Sequence, residues 1–538
     1  MRRRFCLWVA LGGLVWSGPA VAAEHVTLRL GPLAHTVTVT ELEQFSRRGV
    51  ISDNLRPFAP VLNSQMQQLL HYPWKIPPQL AERFIDDLLP TDDGQRILES
   101  LKKTIPEADL ADLRFALHHG GKDPAGLNFL TLLRHYPVSR VTVDMGGVMT
   151  IAWQLKTTYL QNQLLSPWLA KELPKVDAPP QPSTINPTTK GSLSLQRRSW
   201  VLSDSQRGRF IPIDIYWGSA DGQGVPVDDA PLVVISHGFA ADRRFLSYLA
   251  EHLATHGAVV VAIEHPKSNI DWVASIATGH NPESLLPASE FIDRPKDVSF
   301  VLDRLEVINQ RSPRLRGRLN TSKVTIIGHS LGGYTAFALA GGEMDIEEVR
   351  QFCQQRHPWQ RTPADWFQCS VARLPEQKFQ LQDTRIQQVI ALNPISGRLF
   401  GKQGLSKINI PTLIFSATQD AVTPPVEHQL KAFQQIRGPK YLLTAIGGTH
   451  LSVSDPNYLN HNITSHTLMP ELFGNAAQPI QQIVKGISLA MIKQSTPEAW
   501  NYNSFLSPAY VQSLSTPRLT FRWSTTLPMG ASALIGIL

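Results

Sequence analysis

The chain has 538 residues, of which 42% are hydrophobic and 18% are charged, so it is long enough for two or more domains with sizeable cores. Its net charge of +7 includes Arg2, Arg3 and Arg4, which lie in a segment that we expect to be removed. No basic run stands out after that segment, which argues against nucleic acid as a partner.

Residues 1–23 have the pattern of a secretory signal peptide. Three arginines precede the apolar run from Phe5 to Trp16, and Ala20-Val21-Ala22 supplies small residues for cleavage. The apolar run is too short to span a bilayer comfortably, since a spanning helix needs about 20 residues. We therefore predict an exported protein, periplasmic or secreted, with a retained membrane anchor as the alternative.

Removal of the signal peptide would leave two cysteines, Cys353 and Cys369. In an exported chain, an even pair at short separation indicates a disulfide bond. Two buried free thiols are the alternative interpretation.

Residues 24–172 predict a mainly helical N-terminal domain. Val26–Leu30 and His35–Val39 alternate in polarity around Gly31-Pro32, which indicates a hairpin of two strands. Helical periodicity then appears over residues 62–70, 78–89, 94–103, 110–118, 127–134 and 149–165. Residues 173–192 contain five prolines and predict a linker.

Strands and helices alternate over residues 193–500, which is typical of an α/β sheet with crossover helices. Antiparallel edge strands are predicted at residues 193–202 and 210–217. Further strands are predicted at 231–235, 258–263, 324–327, 386–392, 411–415 and 441–446, and helices at 244–255, 294–309, 425–435 and 480–492. Residues 341–382 interrupt this pattern as a charged insertion with both remaining cysteines, and residues 501–538 form a C-terminal tail.

One short stretch organises this region. An uncharged, largely β-branched strand turns sharply through Gly328-His329-Ser330-Leu331-Gly332 into a helix that begins near Tyr334. The pattern Gly-x-Ser-x-Gly between a strand and a helix is a nucleophile elbow. Small neighbours allow the strained turn, which lifts the Ser330 hydroxyl above the sheet at the helix N-terminus. Ser330 is therefore the predicted nucleophile.

A serine nucleophile needs a base, and the base needs a carboxylate that orients it. His450 follows the last predicted strand through Gly447-Gly448-Thr449, and Asp420 follows the strand before it. We predict His450 as the base and Asp420 as the acid. A structural histidine and a helix-capping aspartate are the respective alternatives.

The strand that should lie beside the elbow ends in His237-Gly238-Phe239. Gly238 would let the backbone approach a substrate, so we predict that the backbone N–H groups of Phe239 and Leu331 form the oxyanion hole. We interpret His237 as structural.

These motifs make residues 193–495 resemble exported α/β-hydrolases of the group that contains platelet-activating-factor acetylhydrolases, bacterial polyester-degrading lipases and dienelactone-hydrolase-like proteins. The resemblance implies an α/β-hydrolase fold with a mostly parallel sheet, and the insertion would act as a lid. True dienelactone hydrolases have a cysteine nucleophile, so serine at position 330 does not imply their activity. Acetylhydrolases of this group place the acid one strand earlier, where this chain has Asn393. The N-terminal region is similar to an uncharacterised helical domain that precedes such hydrolases in bacterial, notably cyanobacterial, proteins.

The predicted function is a serine esterase or lipase that acts on a small-molecule or lipid ester, with transient contact with a membrane surface. The chemistry needs no cofactor and no metal. The alternatives are a thioesterase or peptidase of the same fold, because the same triad serves all three reactions, and a non-catalytic binding protein that reuses the fold.

Overall fold

The structure is a computed structural model. It describes residues 23–60, 62–71, 86–88, 90–148, 150, 165–220, 224–278, 284–312, 315–375, 378–457, 471–528 and 530. Two compact units emerge: a smaller one of Met1–Glu82 with Leu98–Thr150, and a larger one of Arg83–Ile97 with Ile151–Leu538. The predicted signal peptide lies outside the described residues, apart from Ala23.

The smaller unit pairs a small sheet with helices. Its described elements are β1 (His25–Leu30), β2 (Leu33–Thr38), α1 (Val39–Arg48), α2 (Ser64–His71), α3 (Asp92–Thr104, which crosses into the larger unit), α4 (Leu110–Gly120), α5 (Phe129–Arg134) and β3 (Arg140–Asp144), with a 3₁₀ turn at Arg56–Phe58. The predicted hairpin is confirmed, since β1 and β2 pair antiparallel. Strand β3, which the sequence analysis did not predict, pairs parallel with β1.

Four of the six predicted N-terminal helices match α2 to α5. The helices predicted at 78–89 and 149–165 fall largely outside the described residues. Helix α1, which was not predicted, begins with a capping box in which Thr38 and Glu41 each accept a hydrogen bond from the other's backbone N–H.

The larger unit is built on one mixed sheet, which has nine strands among the described residues. Its strands are β4 (Ser194–Asp204), β5 (Arg209–Ser219), β6 (Ala230–Ser236), β7 (Val259–Ile263), β8 (Leu319–His329), β9 (Ile386–Leu392), β10 (Thr412–Ala417), β11 (Lys440–Ile446) and β12 (Thr520–Ser524). The order across the sheet is β12-β11-β10-β9-β8-β6-β7-β5-β4. The six central strands, β6 to β11, run parallel, whereas β4, β5 and β12 pair antiparallel at the edges.

Helices cover both faces of this sheet. They are α6 (Ser247–Thr255), α7 (Ile270–Ala277), α8 (Glu290–Arg311), α9 (Leu331–Leu339), α10 (Ile346–Gln355), α11 (Pro363–Cys369), α12 (Lys431–Gln435, after a π-helical turn at Val426–Leu430), α13 (Gln478–Lys493), α14 (Ala499–Tyr502) and α15 (Pro508–Ser513). Short 3₁₀ turns lie at Pro358–Gln360, Ser370–Arg373, Gly404–Lys407, Gly474–Ala476 and Asn503–Phe505. One core packs α8 and α9 on the sheet, and a second packs α6 and α13 on its other face. Helix α9 is buried along its whole length, as its uncharged sequence requires.

The boundaries of the two compact units differ from the domain boundaries that the sequence composition predicts. Residues 83–97 and 151–172 group with the larger unit. One reason is that Leu165, Leu169 and Leu173 are buried in the core of that unit. The predicted C-terminal tail contributes β12, which pairs with β11 and closes one edge of the sheet.

Candidate active site

Ser330 lies between β8 and α9 in a strained backbone conformation, with φ of 54° and ψ of −115°. Glycine is required on both sides of it, because a Cβ atom at Gly328 would lie 2.0 Å from the carbonyl oxygen of Gly332. The Ser330 N–H donates to the carbonyl of Leu392, and the N–H of Ile395 donates to the Ser330 carbonyl, both over 3.0 Å. The structure therefore holds the elbow against the end of β9.

Asp420 and His450 form a buried pair at the ends of β10 and β11. The two residues are joined by a hydrogen bond of 2.7 Å between Nδ1 of His450 and Oδ2 of Asp420. The other carboxylate oxygen, Oδ1, accepts the backbone N–H groups of Val422 at 2.9 Å and Thr423 at 2.7 Å. The Thr423 hydroxyl donates to Oδ2 over 2.7 Å. These donors fix the orientation of the carboxylate.

The backbone of His450 is tied to the elbow. Nε2 of His329, the residue before Ser330, donates to the carbonyl of His450 over 3.0 Å, and the two imidazole rings are 4.7 Å apart. The amide of Asn393 also donates to the carbonyls of His450 at 3.1 Å and Thr449 at 3.3 Å. The structure thus brings all three predicted residues to the same edge of the sheet, where the parallel strands end.

Two opposing effects act on the pKa of His450. Burial lowers it, but the charge of Asp420 and its hydrogen bond, with a smaller contribution from Glu471, raise the pKa above its ordinary value. Glu471 accepts the N–H of Leu451 over 2.9 Å, and burial raises the pKa of this carboxyl to about 7. Glu471 was not singled out from the sequence, because nothing in its local pattern links it to His450.

The two predicted oxyanion donors are the backbone N–H groups of Leu331 and Phe239. Leu331 is the first residue of α9, so its N–H belongs to the helix terminus that has no acceptor within the helix. Phe239 follows Gly238, whose missing side chain allows close packing. A Cβ atom at Gly238 would lie 2.9 Å from Nδ1 of His329 and 3.2 Å from Cβ of Ser330. The backbone that carries Phe239 therefore lies close to the elbow.

A buried arginine donates hydrogen bonds to the residues that precede Phe239. Arg294 of α8 donates through Nη2 to the carbonyl of His237 and to the hydroxyl of Ser236, the latter over 3.2 Å. Its Nη1 donates to Ser268 at 2.7 Å and its Nε to Thr335 at 3.2 Å. Sequence reasoning missed this role, since one arginine in an amphipathic helix looks the same whether it faces the solvent or the core.

His237 is buried and hydrogen-bonded to its neighbours. Its Nε2 accepts the backbone N–H of His265 over 3.0 Å. Burial, followed by the charge of Arg294, lowers the pKa of His237 well below its ordinary value, so the ring is neutral.

The insertion contacts both sides of the site. A disulfide joins Cys353 of α10 to Cys369 of α11. The ring of Phe367 in α11 packs on that of Phe239, with 4.6 Å between centroids, and the N–H of Ala364 donates to the carbonyl of Val422 over 3.2 Å. The same insertion therefore touches the loop that carries Phe239 and the loop of Asp420.

Ser330 and His450 are largely shielded from solvent, because each exposes only 4% of its surface. Among the described residues, no group of three or more His, Cys, Asp and Glu side chains could hold a metal ion. None of the helices that the structure describes is long and apolar enough to cross a membrane.

Comparison with known families gives two matches. Residues 22–144 match a family described as an α/β-hydrolase of unknown function, DUF1400. Residues 211–293 match the family of platelet-activating factor acetylhydrolase, isoform II.

Individual relatives are more distant. Cutinase 1 of Thermobifida cellulosilytica is 22% identical over 227 residues, which cover 42% of this chain and 62% of the relative. A cutinase of Thermobifida fusca (strain YX) is also 22% identical over 227 residues, with 54% of the relative covered. Platelet-activating factor acetylhydrolase of Cavia porcellus is 32% identical over 136 residues, which cover 20% of this chain and 30% of the relative.

The chain thus spans between 30% and 62% of the length of these three relatives. The family matches, the mostly parallel sheet and the elbow agree with one another. The chain has an α/β-hydrolase fold and is similar to the group that contains the cutinases and the platelet-activating factor acetylhydrolases.

Proposed function

We propose that this chain is a serine hydrolase that cleaves carboxylic esters through an acyl-enzyme on Ser330. The observation that carries the proposal is the strained elbow of Ser330 beside the buried pair of His450 and Asp420. A serine at positive φ is costly, and such strain is characteristic of functional sites. The names of the cutinase and acetylhydrolase relatives support an ester as the substrate.

In the proposed reaction, Nδ1–H of His450 donates to Asp420, which leaves Nε2 free to accept the proton of the Ser330 hydroxyl. The serine oxygen then attacks the ester carbonyl, and the N–H groups of Phe239 and Leu331 stabilise the negative charge on the carbonyl oxygen. Collapse of this intermediate breaks the ester bond, and the alcohol leaves with the proton from His450. Water repeats the cycle on the acyl-enzyme, releases the carboxylic acid and restores Ser330.

We propose further that the protein works in an oxidising compartment after export. The disulfide between Cys353 and Cys369 supports this, since such bonds persist in periplasmic and secreted proteins. The signal-peptide pattern at the start of the sequence agrees with export. Transient contact with a membrane surface stays a prediction.

The test is turnover of p-nitrophenyl acetate by the full chain and by Ser330→Ala. Alanine fits the elbow as well as serine does, so the variant should fold and lose essentially all activity. Ser488→Ala is the matched control, because Ser488 is also buried but lies in α13, outside the site. Full turnover by Ser330→Ala, with contaminating esterase excluded, would refute the proposal. Parallel assays with a thioester and a peptide substrate distinguish the related activities.

A further inference from the structure

A cavity of about 710 Å³ lies in the larger unit, lined by parts of the insertion and by two other segments. The first segment comprises residues 87–96 and the second residues 284–286. Neither segment carries a residue of the proposed triad. The volume lies within the range of small-molecule sites, which is about 300–1,000 Å³.

The lining combines apolar surface with a few charges. Its apolar part comprises Leu88, Leu285, Leu286, Trp366, Phe367, Ala372 and the disulfide between Cys353 and Cys369. Its charged part comprises Asp87, Asp92, Asp93, Arg96, Arg350 and Arg373. The lining thus contains three carboxylates and three guanidinium groups, so its charges balance and favour neither a cation nor an anion. An uncharged, largely apolar ligand fits such a lining best.

The walls of the cavity are fixed by buried interactions. Arg361 of the insertion, with a fully buried side chain, binds both carboxylate oxygens of Asp93, one of them over 2.8 Å. Arg96 donates to the carbonyl of Gln354 over 3.0 Å, at the C-terminal end of α10, where a cation is favourable. These contacts hold residues 93–96 against the insertion, and the disulfide joins two helices of the insertion to each other. The walls of the cavity are therefore held in place by specific contacts within the larger unit.

One side chain links the cavity to the proposed reaction centre. Phe367 lines the cavity and packs its ring on Phe239, whose N–H is a proposed oxyanion donor. For a substrate with its carbonyl at Ser330, the ring pair of Phe239 and Phe367 therefore connects the reaction centre to the largely apolar cavity.

We propose that this cavity binds the hydrocarbon chain of the ester substrate, and that the enzyme therefore favours esters with a medium or long chain. The inference rests on the proposed function and adds the substrate class. It also gives residues 87–96, which precede the hydrolase sheet in the sequence, a role in specificity.

The test is to fill the cavity and measure kcat/KM over chain length. Ala372→Phe and, as a second variant, Ser370→Phe add a ring to the lining of the full-length protein. Exclusion of two methylene groups costs about tenfold in affinity. We therefore expect the ratio of kcat/KM for p-nitrophenyl octanoate to that for the acetate to fall at least about tenfold in both variants. Ala499→Phe is the matched control, since Ala499 is likewise half-buried but lies in α14, and it should leave the ratio unchanged.

Two substrate series identify which part of the ester enters the cavity. Esters of p-nitrophenol vary the acyl chain, and alkyl acetates vary the alcohol chain. A loss of kcat/KM that grows with chain length in one series supports the proposal, and that series shows whether the acyl chain or the alcohol chain enters the cavity. An unchanged ratio in both series, or a loss equal at all lengths, overturns it. If Ser330→Ala still abolishes turnover of p-nitrophenyl acetate in that case, the ester hydrolase assignment survives.

Discussion

Two neighbouring strand ends reach the same histidine in different ways. Asn393 directly follows β9 and lies at a φ of 43°, where its amide donates to the backbone carbonyls of Thr449 and His450 and its oxygen accepts the N–H of Ala417 over 3.0 Å. Asp420 follows β10 and binds the imidazole ring itself. Each position could have held the acid, and only the second binds Nδ1 of His450 through a carboxylate.

The difference follows from the chemistry of the two side chains. An amide both donates and accepts, so Asn393 can connect three backbone groups. A carboxylate only accepts, but its charge can stabilise the imidazolium that forms during proton transfer. We infer that Asn393 positions the backbone of His450, whereas Asp420 orients the His450 ring and stabilises its protonated form. The following predictions test this division.

The largest effect is expected for Asp420→Asn. The amide would no longer hold the productive tautomer of His450, so kcat on a short-chain ester should fall by about 10⁴-fold. Circular dichroism and thermal melting of the variant control for folding, because Asp420 is fully buried. Turnover close to that of the parent enzyme would place the acid elsewhere.

Asn393→Ala should have a much smaller effect. Loss of buried hydrogen bonds at the His450 backbone costs roughly 1–3 kcal/mol, and if all of this cost falls on the transition state, kcat falls by roughly 5- to 160-fold. Asn393→Gly keeps the positive φ available and separates backbone strain from the lost hydrogen bonds.

The double variant Asp420→Asn with Asn393→Asp sharpens the comparison. It should regain no activity, because position 393 faces the backbone of His450, and recovery would show that the two strand ends are interchangeable.

Reduction of the disulfide should loosen the insertion, which contacts the Asp420 loop through Ala364 and Val422. Cys353 and Cys369 are 16 residues apart, and a closed loop of that size contributes about 3 kcal/mol by the chain-entropy estimate. Amide hydrogen exchange over residues 346–373 should therefore accelerate on reduction, while β8 and β9 serve as the internal control. Equal exchange with and without reductant would contradict this prediction.

The smallest effect concerns the pH profile. Because the pKa of His450 is raised, the acid limb of kcat/KM should inflect above the ordinary histidine value of about 6.5, and activity should fall as His450 becomes protonated. Glu471→Gln removes a carboxyl that is partly ionised near its pKa of about 7 and, when ionised, favours imidazolium, so the inflection should move to lower pH. The shift should be smaller than in Asp420→Asn, since Asp420 contributes more to the pKa of His450. A shift to higher pH in Glu471→Gln would contradict this assignment of signs.

The sequence predicted those parts of the site that local geometry encodes. The elbow needs small residues around Ser330, and the order of strand ends places Asp420 and His450 beside it. The strands with continuous apolar runs were likewise recognisable, since burial on both faces forbids charge. These features are visible in a single segment of sequence.

The rest depends on contacts between distant segments. Arg294 reaches the carbonyl of His237 only because α8 packs on the sheet, and the edge strand β12 is defined by its pairing with β11. The side chain of Arg361 is fully buried because it binds Asp93, which is 268 residues away in the sequence. No local pattern distinguishes such residues from ordinary surface arginines or from an irregular tail.

The most direct test of the central claim is the covalent site of a serine-reactive organophosphonate. The full-length protein should gain a single adduct in intact mass, and peptide mapping should place it on Ser330, with complete loss of ester hydrolysis. Asp420→Asn should react far more slowly at the same residue. An adduct on another serine, or full hydrolysis by protein that is quantitatively labelled at Ser330, would contradict the account.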